Sequence, residues 1–342
     1  MNRTEERLVD ALAARAELVS GERPVPAAVV PLRRSRTIRT AALGAVAAAA
    51  AAALVVGLTA GSDGSPAARP RPDAQQLGTA VAVQPAAATA PALLDQLATA
   101  VAGQPGLTVS PDQFVYVRSI SGSAGYTSLD RQGDGVGPAV VTPVHQRQVW
   151  LPQRAGVDGW IDEPGADGDP DAVPIDYGGA VPDDTYAALA ALPTDPTTLL
   201  QQLRTDPSVA QADPGTADLA TFQLIGNLLA ESIAPPEVIA ALYRAAALVP
   251  GVVVVPDAVD AAGRHGVAVA REDPLTGERH EWILDQRTSS YLGARSYLTR
   301  DTTLGRAGML TGISAVLERG VADDVRQVPD AEHLLRLSLI HI

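Results

Sequence analysis

The sequence predicts an α+β domain with an antiparallel sheet, preceded by a single transmembrane helix. Residues 113–336 run from β-rich segments through helical segments and back to β-rich segments, an order typical of α+β domains. Residues 40–60 carry no charge and follow a cluster of arginines, as membrane-spanning helices do.

Alternation of apolar and polar residues predicts the first strands, because successive side chains of a strand point to opposite faces. These strands are expected at residues 113–120, 140–151 and 157–162. Helical spacing, with prolines near first turns, predicts helices at residues 183–192, 196–204, 217–232 and 237–248. Strands are predicted again at residues 252–255, 266–271, 280–285, 291–298 and 313–318. A turn with the sequence DPLTG (273–277) separates the second and third of these.

Residues 40–60 are predicted to form the transmembrane helix, because about 20 residues at about 1.5 Å each span the hydrocarbon layer of about 30 Å. Four arginines precede this stretch: Arg33, Arg34, Arg36 and Arg39. The positive-inside rule therefore predicts a cytoplasmic N-terminus and an extracytoplasmic C-terminal domain at the cell membrane. The alternative is a cleaved signal peptide, but 39 residues make a long N-terminal region for one. Both interpretations export the residues from 61 onward.

The remaining segments are predicted from their composition. Residues 1–39 form a cytoplasmic arm, in which residues 5–19 have the spacing of an amphipathic helix. That helix is either solvated or lies on the membrane surface, or it docks a cytoplasmic regulator such as a sigma factor. Residues 61–112 are predicted to be a disordered linker with a short helix near its end. Residues 337–342 (LSLIHI) match a translated sequencing adapter, so we expect the native sequence to end or be interrupted near Arg336.

Composition and motifs exclude several functions. The net charge of −13 argues against nucleic-acid binding, which needs a basic surface. The absence of cysteine excludes a disulfide framework, a thiolate metal site and a cysteine nucleophile. No phosphate-binding glycine loop, nucleophile elbow or zinc-binding helix motif occurs. We therefore expect a protein that is not an enzyme, without catalytic, cofactor-binding or metal-binding residues.

Two features were candidates for metal binding. Four histidines are scattered along the chain and are predicted to be surface or half-buried residues: His145, His265, His280 and His333. Residues 167–178 begin like a calcium loop, but Ala172 replaces the glycine at position six and Gly178 the glutamate at position twelve. A solvated acidic loop is favoured there.

Three tryptophans and one arginine are candidates for a ligand cavity or for the core: Trp150, Trp160, Trp282 and Arg244. The tryptophans fall on predicted strands, where packing is the usual role, although an aromatic cluster would mark a cavity in a chain with two phenylalanines. Arg244 lies on an otherwise apolar helix and either pairs with an acid or extends to the surface.

Four segments carry a resemblance to known sequences: residues 114–119 (FVYVRS), 192–204 (LPTDPTTLLQQLR), 235–271 and 281–293 (EWILDQRTSSYLG). They resemble an uncharacterised family of actinobacterial single-span membrane proteins. This resemblance implies a cytoplasmic arm, one transmembrane helix and an extracytoplasmic domain, often encoded near sigma factors. A weaker resemblance, in the order of a helix, PGV and strands ending in WILDQRT, is to lipoprotein carriers and to the periplasmic sensor that restrains an anti-sigma factor. It implies a curved, half-barrel-like sheet that holds an acyl chain or a peptide.

Together these observations predict a membrane-anchored extracytoplasmic sensor or ligand-binding module without a cofactor, linked through the resemblance to sigma-factor regulation. One alternative is an envelope structural or assembly protein, which a large exposed apolar patch would favour. Another is a hydrolase, which needs a serine or an acid beside a histidine in a cleft.

Overall fold

A large antiparallel sheet organises the part of the chain that the computed structural model describes, which is residues 81–84, 87–128, 136–141, 143–164 and 170–336. The predicted cytoplasmic arm, transmembrane helix and C-terminal tail (1–39, 40–60 and 337–342) lie outside these ranges, as do residues 61–80 of the linker. Within the described ranges, no helix has both the length and the apolar character needed to cross a membrane.

Twelve strands are found among the described residues, and each pair of neighbouring strands is antiparallel. They are β1 (Ala87–Thr89), β2 (Phe114–Ser128), β3 (Val136–Val141), β4 (His145–Pro152), β5 (Gly159–Pro164), β6 (Pro170–Ile175), β7 (Val253–Val259), β8 (His265–Glu272), β9 (Glu278–Leu284), β10 (Tyr291–Leu298), β11 (Leu310–Ala322) and β12 (Leu334–Arg336). Ten follow the order β1-β7-β8-β9-β10-β11-β2-β4-β5-β6, while β3 pairs with β2 and β12 with β11. The sheet is curved and open, which confirms the predicted α+β class.

Six helices are described: α1 (Pro91–Ala102), α2 (Tyr186–Ala190), α3 (Pro196–Leu203), α4 (Pro207–Ala210), α5 (Ala217–Glu231) and α6 (Pro236–Ala247). Side chains cap three of them, because Thr185, Asp195 and Asp206 each accept a hydrogen bond from a backbone N–H of the first turn. The cap at Thr185 explains why α2 begins three residues after the predicted start.

The helices cover one face of the sheet, which we call the helix-facing side. The main core lies between them and includes Leu94 and Leu97 of α1, Phe222 and Ile225 of α5, and Leu284 of β9. The short helix predicted near the end of the linker is therefore part of this core, and it packs chiefly against α6. Burial of leucine side chains, at about 1.5–3 kcal/mol each, is the main contribution to the stability of this layer.

The two edges of the ten-strand path are protected in different ways. The edge strand β6 contains Pro170 and Pro174, which have no backbone N–H to offer another strand. At the other end, β1 covers part of β7 through the pairs Ala87–Val254 and Thr89–Val253.

Several elements differ from their predicted bounds for local reasons. Strand β2 continues to Ser128 through a glycine- and serine-rich stretch, because β11 and β3 pair with it there. The single strand predicted at residues 140–151 corresponds to two strands, β3 and β4. These two strands pair with different parts of β2. Strand β6 lies entirely within residues 167–178, which were predicted to form a solvated acidic loop.

Candidate functional site

The helix-facing side of the sheet has an apolar part and a polar part. Val117 of β2 pairs with Val149 of β4, and both are buried beneath the helices. Further along β2, and on β11 and β10 beside it, helix-facing positions are occupied by serines instead. These are Ser119, Ser121 and Ser123 of β2, Ser296 of β10 and Ser314 of β11.

Strand register brings these serines together. Ser121 pairs with Ser314, while Gly312 of β11 pairs with both Ser123 and Ser296. Because side chains alternate along a strand, the serines at 119, 121 and 123 share one face. Most of them are half-buried, and Ser119 is only 8% exposed.

Helix α5 contacts β9 through Phe222 and β4 through Glu231 on the helix-facing side. Its Phe222 stacks on Trp282 of β9, with ring centroids 3.9 Å apart and planes inclined by 7°. Its last residue, Glu231, accepts a hydrogen bond of 2.6 Å from Nη1 of Arg147 on β4. Residues four and eight positions before Glu231 lie on the same side of the helix, and these are the half-buried Asn227 and Gln223.

We call this set of polar residues on the helix-facing side the polar groove. Its members are Ser119, Ser121, Ser123, Ser296, Ser314 and Gly312 from the sheet, and Gln223, Asn227 and Glu231 from α5.

Charged groups on β4 and β5 close one end of the polar groove. Oε2 of Glu163 lies 3.7 Å from Nε2 of His145 and 3.7 Å from Nε of Arg147. The close approach of the Glu163 carboxylate to the His145 imidazole raises the pKa of His145 and lowers the pKa of Glu163. Arg147 therefore joins two carboxylates, Glu163 and Glu231, and ties α5 to the sheet.

Two further titratable groups lie near this end. Oη of Tyr177 is buried and has no hydrogen-bond partner among the described residues. Burial raises the pKa of Tyr177, and the charges of Asp184 and Glu231 raise it further while Arg147 opposes them. Burial also raises the pKa of Asp184 to about 6, with a smaller contribution from Glu231.

Arg319 of β11 holds the C-terminus of α5. Its Nη2 donates to the carbonyl oxygens of Leu229 (2.7 Å) and Ala230 (2.8 Å). The last carbonyls of a helix have no partners within the helix and carry partial negative charge, so a guanidinium stabilises them. Nε of Arg319 is buried without a partner in the described part of the chain.

A second polar cluster closes the other end. The Thr311 hydroxyl lies within hydrogen-bonding distance of a Glu278 carboxylate oxygen and of Ser296 Oγ, the latter at 2.8 Å. Oε2 of Glu278 is 3.9 Å from Nε2 of His280. Burial lowers the pKa of His280, which favours the neutral imidazole at pH 7.

The four candidates for a ligand cavity or for the core do not converge on this groove, and two of them, Trp150 and Trp282, are buried core residues. Trp150 and Trp160 pair across β4 and β5 on the opposite face of the sheet. There, Nε1 of Trp150 donates to the carbonyl of Gln327 (2.7 Å), and the Arg326 guanidinium lies 5.6 Å from the Trp160 ring. Arg33, Arg34, Arg36 and Arg39 lie outside the described residues.

The other two candidates lie elsewhere. Trp282 is on the helix-facing side but is covered by Phe222. Nε of Arg244 donates to Asp95 of α1 at 2.8 Å, at the protein surface. The structure therefore brings two tryptophans together and leaves Trp282 and Arg244 apart from them.

Two buried charged clusters stabilise the sheet away from the polar groove. In the turn after β7, Asp260 accepts from Nε of Arg264 at 2.7 Å, and Arg264 also donates to the backbone carbonyl of Leu292. Across β9 and β10, Glu281 accepts from Arg295 (2.6 Å) and from the Tyr297 hydroxyl (2.7 Å). Within the described ranges, no group of three or more His, Cys, Asp or Glu residues could hold a metal ion.

The fold defines this chain as an α+β protein with an open, curved antiparallel sheet covered by helices on one face. No protein-family model matches the sequence. No curated protein matches it either.

Among solved structures, the chain is similar to the MucA/MucB complex of Pseudomonas aeruginosa, at 14% identity and a TM-score of 0.26, over 71% of this chain and 59% of that one. It is also similar to MucB in complex with MucA(peri), at 13% identity and a TM-score of 0.26, over 73% of this chain and 62% of that one. The chain spans about three fifths of the length of these structures, and a TM-score of 0.26 does not establish a common fold.

Proposed function

We propose that the described domain is the extracytoplasmic ligand-binding part of a membrane-anchored sensor, and that the polar groove is its ligand site. The observation that carries this proposal is the change from apolar to polar residues on one face of the sheet beside α5. Polar groups in a half-buried position cost free energy unless they form hydrogen bonds. A bound ligand would supply those bonds.

Individual residues of the groove support this interpretation. Ser119 is only 8% exposed and Ser121 is half-buried, so both hydroxyls have limited access to solvent. Stability alone would favour valine at such positions, because β-branched apolar residues suit a half-buried strand.

The membrane anchor and the cytoplasmic arm complete the proposal. The uncharged stretch at 40–60 and the four arginines before it support an N-terminus in the cytoplasm. The amphipathic residues 5–19 would contact a cytoplasmic regulator, of which a sigma factor or its antagonist is the proposed class.

Protease accessibility in intact cells tests the topology. The full chain carries one epitope tag at each end, and protease is added outside the cells. We expect loss of the C-terminal tag and survival of the N-terminal tag. Digestion of the N-terminal tag, or protection of the C-terminal tag in permeable envelopes, would contradict the proposal.

A pair of variants tests whether the groove is a sensor site. Ser121→Leu fills the groove, and the control Ser290→Leu makes the same change in the turn between β9 and β10. In-cell crosslinking from Leu12 should capture a transcription regulator, in an amount that Ser121→Leu changes and Ser290→Leu does not. Capture of equal amounts of regulator by the native protein, Ser121→Leu and Ser290→Leu would contradict signalling through the groove. Capture of no regulator at all would contradict it as well.

A further inference from the structure

We propose that His145 is a proton-operated control on the attachment of α5 to the sheet, which is firm when the imidazole is protonated and weaker when it is neutral. The inference concerns how the end of the helix is held, and it is independent of whether the polar groove binds a ligand. Three features carry it: the hydrogen-bond geometry of His145, the balance of charges around Arg147, and the different exposure of two neighbouring ion pairs.

Both ring nitrogens of His145 face oxygen acceptors. Nδ1 lies 3.1 Å from the carbonyl oxygen of Pro143, and Nε2 lies 3.7 Å from Oε2 of Glu163. A neutral imidazole has one N–H and one lone pair, so either tautomer directs a lone pair at one of these oxygens. Only the imidazolium presents an N–H to both. The arrangement is therefore that of protonated His145, and loss of the proton removes the attraction for Glu163.

Glu163 is shared between His145 and Arg147, which lie two residues apart on β4. Nε of Arg147 is 3.7 Å from the same Oε2 of Glu163, and its Nη1 is 2.6 Å from Oε1 of Glu231, the last residue of α5. We call these four side chains the α5 joint. With His145 protonated, two cations face two carboxylates. With His145 neutral, Arg147 alone faces both carboxylates, and the joint carries one excess negative charge.

A buried carboxyl group near the joint changes charge in the same direction. Burial raises the pKa of Asp184 to about 6, with a further contribution from Glu231, so Asp184 becomes negative as pH rises through that value. Burial also raises the pKa of Tyr177 and of Tyr291, so both phenols near Glu231 stay neutral at pH 7. A rise in pH therefore adds negative charge beside the end of α5.

The neighbouring strands do not offset this charge. Strand β2 places Ser121 opposite His145, and β6 places the acidic residue Asp171 opposite Glu163 in the register. Neither strand therefore contributes a cation at these positions. The guanidinium of Arg319 also interacts with Glu231, but its Nη2 already donates to two backbone carbonyls at the end of α5.

The two ion pairs of the α5 joint differ in exposure. Arg147 and Glu231 are each 12% exposed, whereas His145 is 28% and Glu163 is 38% exposed. Water therefore reaches the imidazole and can exchange its proton. The buried pair is screened less, so it responds more strongly to a change of charge beside it.

The directions of the pKa shifts give the pH range of the control. Glu163 is the main cause that raises the pKa of His145 above 6.5, so the contribution of the imidazolium is present below pH 6.5 and is lost as pH rises through the folded value. His145 lowers the pKa of Glu163 from 4.5, so that carboxylate loses its charge only in stronger acid. The α5 joint is therefore firmest between about pH 4.5 and 6.

Hydrogen–deuterium exchange of the full chain in detergent tests this inference. The readout is the protection factor of the amides at residues 228–232, corrected for the intrinsic exchange rate at each pH, and the amides of α1 serve as an internal reference. Between pH 5.5 and pH 8 we expect protection to fall by about three- to tenfold, since one pKa unit corresponds to a tenfold change in an equilibrium constant. The α1 amides should not change.

Variants assign the change to His145. His145→Gln cannot carry the charge and should show the lower protection already at pH 5.5. His145→Arg keeps a cation, and Glu163→Gln leaves Arg147 to Glu231, so both should retain protection at pH 8. The control His265→Gln removes an exposed histidine that lies 2.9 Å from Asp257, and it should keep the native profile.

Two results would overturn the inference. One is native protection at residues 228–232 that does not change between pH 5.5 and pH 8. The other is a native pH profile in His145→Gln, with tryptophan fluorescence showing that the variant is folded. Either result would leave the proposed ligand site untouched, because neither measures binding in the polar groove.

Discussion

A methyl group at position 226 of α5 would lie 2.3 Å from Nε1 of Trp282. Glycine at this position is what allows the helix to approach β9 closely enough for Phe222 to stack on the same indole. We expect Gly226→Ala to destabilise the protein by up to about 2 kcal/mol, because overpacking costs about 1–3 kcal/mol and alanine recovers about 1 kcal/mol of helix propensity. Urea unfolding followed by tryptophan fluorescence measures the change.

Gly215 provides the matched control for that substitution. A Cβ at this position, just before α5, meets nothing within 4 Å. Gly215→Ala should therefore shift the urea midpoint little or raise it slightly. Equal losses in the two variants would show that the contact with Trp282 is not the cause.

The buried pair Asp260 and Arg264 should be sensitive to loss of one partner. Asp260 is 0% exposed and also accepts hydrogen bonds from the backbone N–H groups of Ala262 and Arg264. Arg264→Met leaves that carboxylate without its cation, and we expect a loss of about 3–5 kcal/mol. The double variant Asp260→Asn/Arg264→Met should recover part of this loss in urea unfolding. A double variant no more stable than Arg264→Met would show that the unpaired charge does not dominate.

The stability of the protein should depend on pH through Asp184. Its folded pKa of about 6 lies above the ordinary value of 3.8, so the folded state binds the proton more tightly than the unfolded state. The contribution is fully present below pH 4 and is lost as pH rises through about 6. Asp184→Asn should remove this dependence and stabilise the protein at pH 7 by an amount on the order of 1–2 kcal/mol.

Urea midpoints measured between pH 4 and pH 7.5 check this prediction. The exposed Asp158 supplies the control, and Asp158→Asn should leave the shape of the profile unchanged. A profile for Asp184→Asn that parallels the native one would assign the pH dependence to other groups, of which the His145–Glu163 pair is the next to test.

The ion pair between Arg244 and Asp95 should contribute little to stability. The Arg244 side chain is 37% exposed and that of Asp95 is 67% exposed, so water and salt screen their attraction. A double-mutant cycle with Arg244→Met and Asp95→Asn should give a coupling below about 1 kcal/mol, decreasing further in 1 M salt. A larger, salt-independent coupling would indicate a role for this arginine beyond tying α6 to α1.

Periodicity was sufficient to predict most of the long elements. Strand β10 has the predicted bounds, and α5 differs from its prediction by one residue, because both have clear spacing of apolar residues. Four short elements were missed, namely β1, β6, α4 and β12. They contain three to six residues each, too few for a period to emerge.

The polar groove could be predicted only in part. Serines at 119, 121 and 123 occupy alternate positions, which is a visible sign of a polar strand face. Their neighbours Ser314 and Ser296 are distant in sequence, and only the register of β2, β11 and β10 brings them together. The predicted tryptophans were chosen by residue type, and residue type does not say which face of the sheet a side chain occupies.

The prolines of β6 bear on contacts between copies of this chain. An open sheet edge lets one copy add a strand to the next, so that copies join into a growing ribbon. Pro174 interrupts the row of backbone donors that such growth requires. Edge-to-edge growth through β6 is therefore disfavoured even where copies meet often.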